Sequence, residues 1–213
     1  MALFQRNPHS TKQNQPLFTL GMNKTILLIG LGNVGKEYQG TRHNIGFEAI
    51  DAFATSHEFD SWVEKKDLQC FTTAKTLGDI RVILCKPTTM MNLSGEAAQK
   101  IAHFYKLHHE QMAAVHDELA IPFGQIRMRV GGSDAGNNGV KSLITHIGPD
   151  FGRIRIGIGG DKPDKMETPD YVLAKFSKEE QAKLPALKKE VISILTEYVF
   201  SDKLPHDTRQ IDV

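Results

Sequence analysis

Residues Thr25–Gly46 read TILLIGLGNVGKEYQGTRHNIG. The segment opens on an apolar run, Thr25 to Ile29, too short for a helix and rich in Ile and Leu, which is the pattern of a strand buried on both faces. The run ends in a glycine-punctuated loop that places Asn33 and His43 near the carboxyl end of that strand, the side on which open α/β sheets bind their ligands. The run Gly30-Leu-Gly32-Asn-Val-Gly35 also matches the dinucleotide pattern GxGxxG, which requires a helix to open at the second or third glycine. Here the chain instead continues through Lys36 to a break at Gly40, and helical spacing begins only around Asn44. Asp51 has roughly the spacing of a ribose-binding acid, but it falls inside that helix and not at the end of a second strand. The nicotinamide reading is therefore disfavoured.

Working outward, 213 residues at 40% hydrophobic content describe a single domain with a full core. A net charge of +1 excludes a polybasic coat, so any nucleic-acid contact has to come from locally clustered charge. Cys70 and Cys85 lie in apolar, strand-like contexts, which suggests buried thiols in a reducing compartment; pairing across a hairpin is the alternative. No apolar run approaches the roughly 20 residues of a membrane span. Residues 1–22 carry no acid, no periodicity and no signal-peptide apolar region. They read as a disordered extension, with an organellar transit peptide as the alternative, and the domain is expected over residues 23–213.

Asn44 to Ser56 has helical spacing with one apolar face. Cys70–Lys75 and Ile80–Cys85 flank Leu77-Gly78-Asp79 as a hairpin that Pro87 stops. Met91–Tyr105 is expected as an amphipathic helix with Ala97, Ile101 and Phe104 inward, and Asn92 as its cap or close to it. Met112–Val115 reads as a short strand running into His116-Asp117. Gln125–Val130 alternates as a strand with Arg127 and Arg129 on one face, and Arg153–Gly159 does the same with Arg153 and Arg155. Between them Gly131–Gly139 is a second glycine-rich loop feeding a helix from Val140 to about Ile147. Ser177-Lys-Glu-Glu180 is a capping box. Pro185 should kink or restart the helix that follows, and residues from about Ser201 should fray. The sum is an α/β single domain: a mixed, largely parallel twisted sheet sandwiched between helices.

Asn33 with His43, Met91-Asn92, His116-Asp117 and Asn137-Asn138 each follow an expected strand. Singly, each has a plain structural reading as turn support or a helix cap. If the strands are parallel neighbours, the four places converge on one rim. No GxSxG elbow is present, and His108 and His109, being adjacent, diverge on any regular element, so serine-triad and metal schemes are weak. That leaves a histidine acting as general base on water, oriented by a carboxylate. Such help is worth roughly 10²–10⁴ in rate. Amide donors steadying the oxyanion add about 2.7–4 kcal/mol for a good donor. These contributions suit an activated ester better than an amide. Arg127, Arg129, Lys141, Arg153 and Arg155 outnumber Asp134 and Asp150 between Ile126 and Ile156. They read either as a solvated sheet edge or as phosphate contacts, which position a nucleic acid without reading its sequence.

Several long blocks together resemble one family, the bacterial-type peptidyl-tRNA hydrolases. They are GLGNVGKEYQGTRHNIG (Gly30–Gly46), KPTTMMNLSG (Lys86–Gly95), HDELAIPFG (His116–Gly124), GNNGVKSL (Gly136–Leu143) and FGRIRIGIG (Phe151–Gly159). The resemblance implies a monomeric cytoplasmic α/β enzyme, with no metal and no cofactor. It would cleave the ester between a peptide and the 3′ end of tRNA, and its partner would be the acceptor stem and 3′ end of peptidyl-tRNA. It implies that His43 activates water and Asp117 orients His43. Asn33 and Asn92 hold substrate, Asn138 places the water or steadies the oxyanion, Met91 lines the peptide channel, and Tyr38 contributes to substrate binding. Arg129 and Arg155, with Arg127 as a third, fall where the family meets tRNA phosphate. A non-catalytic RNA-binding relative of the same fold, similar to organellar splicing factors, is the alternative. Two departures stand out. Asn137 occupies a place where the family commonly has histidine, next to an added Asp134, and Met90 replaces a more familiar aromatic. The hydrolytic reading requires His43 and Asp117 to meet.

Overall fold

The run Thr25–Gly30 (β1) forms the expected buried strand of a computed structural model that describes residues 24–160, 162–163, 165–201 and 203–211. The expectation for residues 1–22 lies outside the described residues. Beyond β1 come Ile45–Ser56 (α1), Val63–Lys65 (β2), Cys70–Leu77 (β3), Ile80–Pro87 (β4), Ser94–Tyr105 (α2), Met112–Pro122 (β5) and Gln125–Val130 (β6). They are followed by Asn138–Ile147 (α3), Gly152–Gly159 (β7), Thr168–Leu173 (α4), Lys178–Ser201 (α5) and Thr208–Gln210 (β8). Among the described residues the strands form one eight-stranded sheet in the order β2-β3-β4-β1-β5-β7-β6-β8. Its centre, β4-β1-β5-β7, is parallel, and antiparallel strands flank it on both sides. The central strands carry apolar residues on both faces because helices cover both. Ile26, Leu28 and Val115 pack against α1 and α5, while Leu27, Ile29 and Ala114 pack against α2 and α3.

The contact between β1 and α1 explains two glycines. A Cβ on Gly46 would lie 2.3 Å from the Val115 carbonyl oxygen, and one on Gly30 would lie 2.6 Å from the Gly46 oxygen. The helix therefore enters close against β1 and β5, which carries the preceding turn Arg42–Asn44 over the carboxyl end of β1. The helix opens at Ile45, well after Gly35, as the argument against a dinucleotide loop requires.

Several expectations need correction. The strand expected over Met112–Val115 continues to Pro122, so Asp117 lies inside β5 and not in a loop after it. Asn92 does not cap α2: that helix follows a 3-10 turn, Met91–Leu93, and its Gly95 N–H is met by Ser142 Oγ from α3 at 2.9 Å. Phe104 is 60% exposed, because the buried stripe of α2 is centred on Ala98, Ile101 and Ala102. Pro185 does not restart the helix, for α5 runs through it without a break. Burial of Leu187, Val191, Ile194 and Leu195 outweighs the proline cost of about 3 kcal/mol. Residues after Ser201 do not all fray, since β8 pairs with β6 and Ile211 is buried. The thiols of Cys70 and Cys85 are free and buried.

Candidate active site

His43 sits on the turn ahead of α1, and its Nδ1 lies 3.0 and 2.9 Å from the two carboxylate oxygens of Asp117. Their side chains are only 12% and 3% exposed. A carboxylate can only accept, so Nδ1 carries the proton, and in the neutral form of the imidazole the lone pair is on Nε2. Asp117 needs further donors at this depth, because an under-bonded buried carboxylate is costly. One comes from Asn137 Nδ2, 3.0 Å from Oδ1 and 3.2 Å from the Asp117 carbonyl oxygen.

The first glycine loop is built around Asn33. Its main-chain N–H and C=O are both held by the Asn44 side chain, at 2.8 and 2.9 Å. Its Oδ1 accepts the Met91 N–H at 2.7 Å. That bond fixes which end of the amide is which and leaves Nδ2 to serve as a donor. Met91 is buried against Gly139, where a Cβ would lie 2.4 Å from its sulfur.

His43, Asp117, Asn33, Met91, Asn92 and Asn138 all line one cavity of about 420 Å³. Asn92 and Asn138 are exposed on the first turns of their helical segments. Met90, Val172 and Leu173 supply an apolar side, and α4, which the sequence did not reveal, forms that wall with Thr168 and Pro169. Tyr38 stands apart. It is not among the lining residues, and its carbonyl oxygen instead accepts from Thr41 Oγ1 at 2.8 Å. Asn137, named in the sequence with Asn138 and as a departure from the family's usual histidine, was given no role there, since Asn138 absorbed the assignment. The signal was present: an Asn before an apolar helical run is a cap, and Asn137 Oδ1 accepts from the N–H groups of Gly139 and Val140.

The convergence on one rim holds, though its reason differs for the last loop. Because β6 runs antiparallel to β7, it ends at the far end of the sheet, and residues 131–137 must travel back to reach Asp117. Arg153 holds that return path. It is buried, and it donates to the carbonyl oxygens of Ser133 at 2.5 Å and Gly132 at 2.7 Å. It is thus a structural arginine and not a free phosphate contact. Arg127 is paired across the sheet with Arg155, and Arg129 with Arg153, on a face that α2 and α3 do not cover. Burial, then repulsion from Arg129, lowers the pKa of Arg155 from its ordinary value. The Nε atoms of Arg127, Arg129 and Arg155 have no partner among the described residues.

An imidazole free at Nε2 and backed by a carboxylate can take a proton from water, and the amides around it can support the oxygen that gains charge. An arrangement of this kind, at the carboxyl ends of parallel strands, is what a hydrolase of α/β architecture using a general base would need. Residues 27–212 match the model of the family described as peptidyl-tRNA hydrolase, and the chain belongs to that family. It is 47% identical over 162 residues to the peptidyl-tRNA hydrolase of Gloeobacter violaceus, covering 76% of this chain and 81% of that one. It is 40% identical to the chloroplastic peptidyl-tRNA hydrolase of Arabidopsis thaliana, over 85% of this chain and 61% of that one. The crystal structure of peptidyl-tRNA hydrolase from Acinetobacter baumannii superposes with a TM-score of 0.78 at 31% identity, covering 85% and 91% of the two chains.

Proposed function

We propose that this chain hydrolyses the ester between a peptide, or an N-blocked aminoacyl group, and the 3′ end of tRNA, with His43 as general base on water. Family membership supports the reaction, and the observation that carries the assignment to residues is the His43–Asp117 contact at 2.9 Å on a shared cavity. In this reading His43 Nε2 removes a proton from water as the water attacks the ester carbonyl, and the carboxylate of Asp117 stabilises the imidazolium that forms. Asn33 Nδ2 and the amides of Asn92 and Asn138 hold the ester and its developing oxyanion, and Met91 faces the peptide. The ribose hydroxyl of the tRNA end leaves with the proton that the imidazolium returns. Arg129 and Arg155, with Arg127 beside them, bind the phosphates of the acceptor stem, which positions the 3′ end without reading sequence.

Residues 23–213 act in this reading as one catalytic domain, supported by the single sheet that the described strands form, and as a monomer, which the family resemblance implies. Among the described residues no helix is long and apolar enough to cross a membrane. We place the enzyme in the cytoplasm, with an organelle as the alternative suggested by the acid-free leader and the chloroplastic relative. The test is release of an N-acetylated amino acid from tRNA by the full chain and by His43→Ala. Cleavage by the wild type, and its loss in the variant with tRNA binding retained, is the expected result. Binding without cleavage by the wild type would instead identify a non-catalytic RNA-binding relative.

A further inference from the structure

We propose that Asn137 is a positioning residue for the His43–Asp117 pair, holding the carboxylate in the plane that the imidazole needs. The inference rests on the general-base reading above. Its basis is that the orientation of the Asn137 amide is decided by the fold. The Oδ1 atom accepts from the N–H groups of Gly139 at 3.0 Å and Val140 at 3.2 Å, the unpaired donors that open α3. An oxygen must therefore sit at that end, and Nδ2 is committed to Asp117.

The consequence is geometric. The last side-chain torsion of an aspartate is broad and easily turned. One donor, His43 Nδ1, reaches both oxygens and does not by itself select an angle. The second donor, Asn137 Nδ2, meets Oδ1 from another direction at 3.0 Å. The same Nδ2 and the His116 Nδ1 both reach the carbonyl oxygen of Asp117, at 3.2 and 2.8 Å, so the main chain below the carboxylate is held as well. Through Asn137 the start of α3 fixes Asp117, and Asp117 fixes His43. An amide donates in the same way at every pH, so the support does not titrate. The titratable and charged groups nearby are His43 on the turn ahead of α1, His116 and Glu118 on β5, Asp134 in the loop, and Arg153 and Arg155 on β7.

Asn137→Ser separates this role from helix capping. Serine caps a helix as well as asparagine does, but it is too short to reach Asp117. The expected result is a melting temperature near that of wild type, an unchanged KM and a kcat lower by about 10–100-fold, the scale on which supports of functional histidines act. Asn137→Asp keeps the cap and sets a second carboxylate beside Asp117. It should lower kcat too, and move the acidic limb of the pH–rate profile upward, because added negative charge favours the imidazolium. Wild-type kcat and pH profile in Asn137→Ser would overturn the proposal. Failure of the parent reading is seen separately, as absence of cleavage by the wild type. In that event the downfield Nδ1–H resonance of His43 still decides: a shift or broadening in Asn137→Ser supports the positioning role, and an unchanged resonance overturns it.

Discussion

His116 shows how much a single buried side chain can carry next to the proposed site. It is 1% exposed, its Nδ1 donates to the Asp117 carbonyl oxygen at 2.8 Å, and its Nε2 has no partner among the described residues. Burial pushes its pKa down to about 4; the hydrogen bond and charge of Asp117 oppose this, and the charges of Arg153 and Arg155 add to it. The folded protein thus holds His116 neutral where the unfolded chain would bind a proton. Stability rises with pH wherever the unfolded state binds more protons. The contribution of His116 is intact above pH ~6.5, falls away between about 6.5 and 4, and is fully lost below, at an upper bound on the order of 3 kcal/mol. His116→Asn, which keeps a donor near Nδ1 and cannot titrate, should flatten the urea-unfolding midpoint between pH 4 and 6.5. An unchanged slope in that variant would assign the acid sensitivity to other groups. At this scale the meeting of His43 with Asp117 was legible only from the four candidate places taken together, since each alone reads equally well as turn support or a helix cap. Less legible still were Asn137 and Asn138, since only the first N–H groups of α3 decide which amide turns inward.

At the scale of elements, the turn bearing His43 is tied to the chain segment between α4 and α5 by its neighbour Arg42. The Arg42 guanidinium donates to Glu180 Oε2 at 2.5 Å and to the Lys175 carbonyl oxygen at 2.5 Å, and it lies 4.4 Å from the centre of the Tyr171 ring. Glu180 is also the far member of the capping box: its Oε2 accepts from the Ser177 N–H at 2.6 Å, and its own N–H reaches Ser177 Oγ at 3.1 Å. One arginine therefore links the turn bearing His43, the wall of the cavity in α4 and the start of α5. Removing one partner of a buried pair is costly, about 3–5 kcal/mol, because the other charge stays behind. Arg42→Met should lower stability on that scale and raise KM as the α4 wall loses its tether. The double variant Arg42→Met/Glu180→Gln should recover part of the stability. A cost below about 1 kcal/mol, the value of an exposed ion pair, would show the contact to be dispensable. The capping box itself was plain in the sequence. Its bond to Arg42 spans 138 positions, which no local pattern encodes, and the short α4 offered too few residues for a period to show.

For the whole molecule the question is how a chain of net charge +1 would present the proposed surface to an anionic polymer. The answer is topological. Where α2 and α3 stop covering the sheet, the antiparallel pairing of β6 with β7 aligns Arg127 with Arg155 and Arg129 with Arg153. The local runs and their alternation were readable from the sequence; the strand order that sets them side by side was not, because pairing depends on contacts between distant segments. Nor could alternation distinguish Arg153, which is buried and spent on loop carbonyls, from its half-buried neighbours. Arg155 feels the repulsion of Arg129 and Arg127 in the folded state, and a bound phosphate would relieve it. Affinity for tRNA should therefore fall as salt rises, through release of counterions. Arg129→Ala and Arg155→Ala should each weaken binding alike across tRNAs and reduce the slope of log K against log salt by about 1. Arg153→Ala should instead lower the melting temperature, since its loss frees residues 131–137. Measured by filter binding across a salt series, a slope that neither Arg129→Ala nor Arg155→Ala changes would remove the arginine face from tRNA recognition, while leaving the His43–Asp117 chemistry untouched.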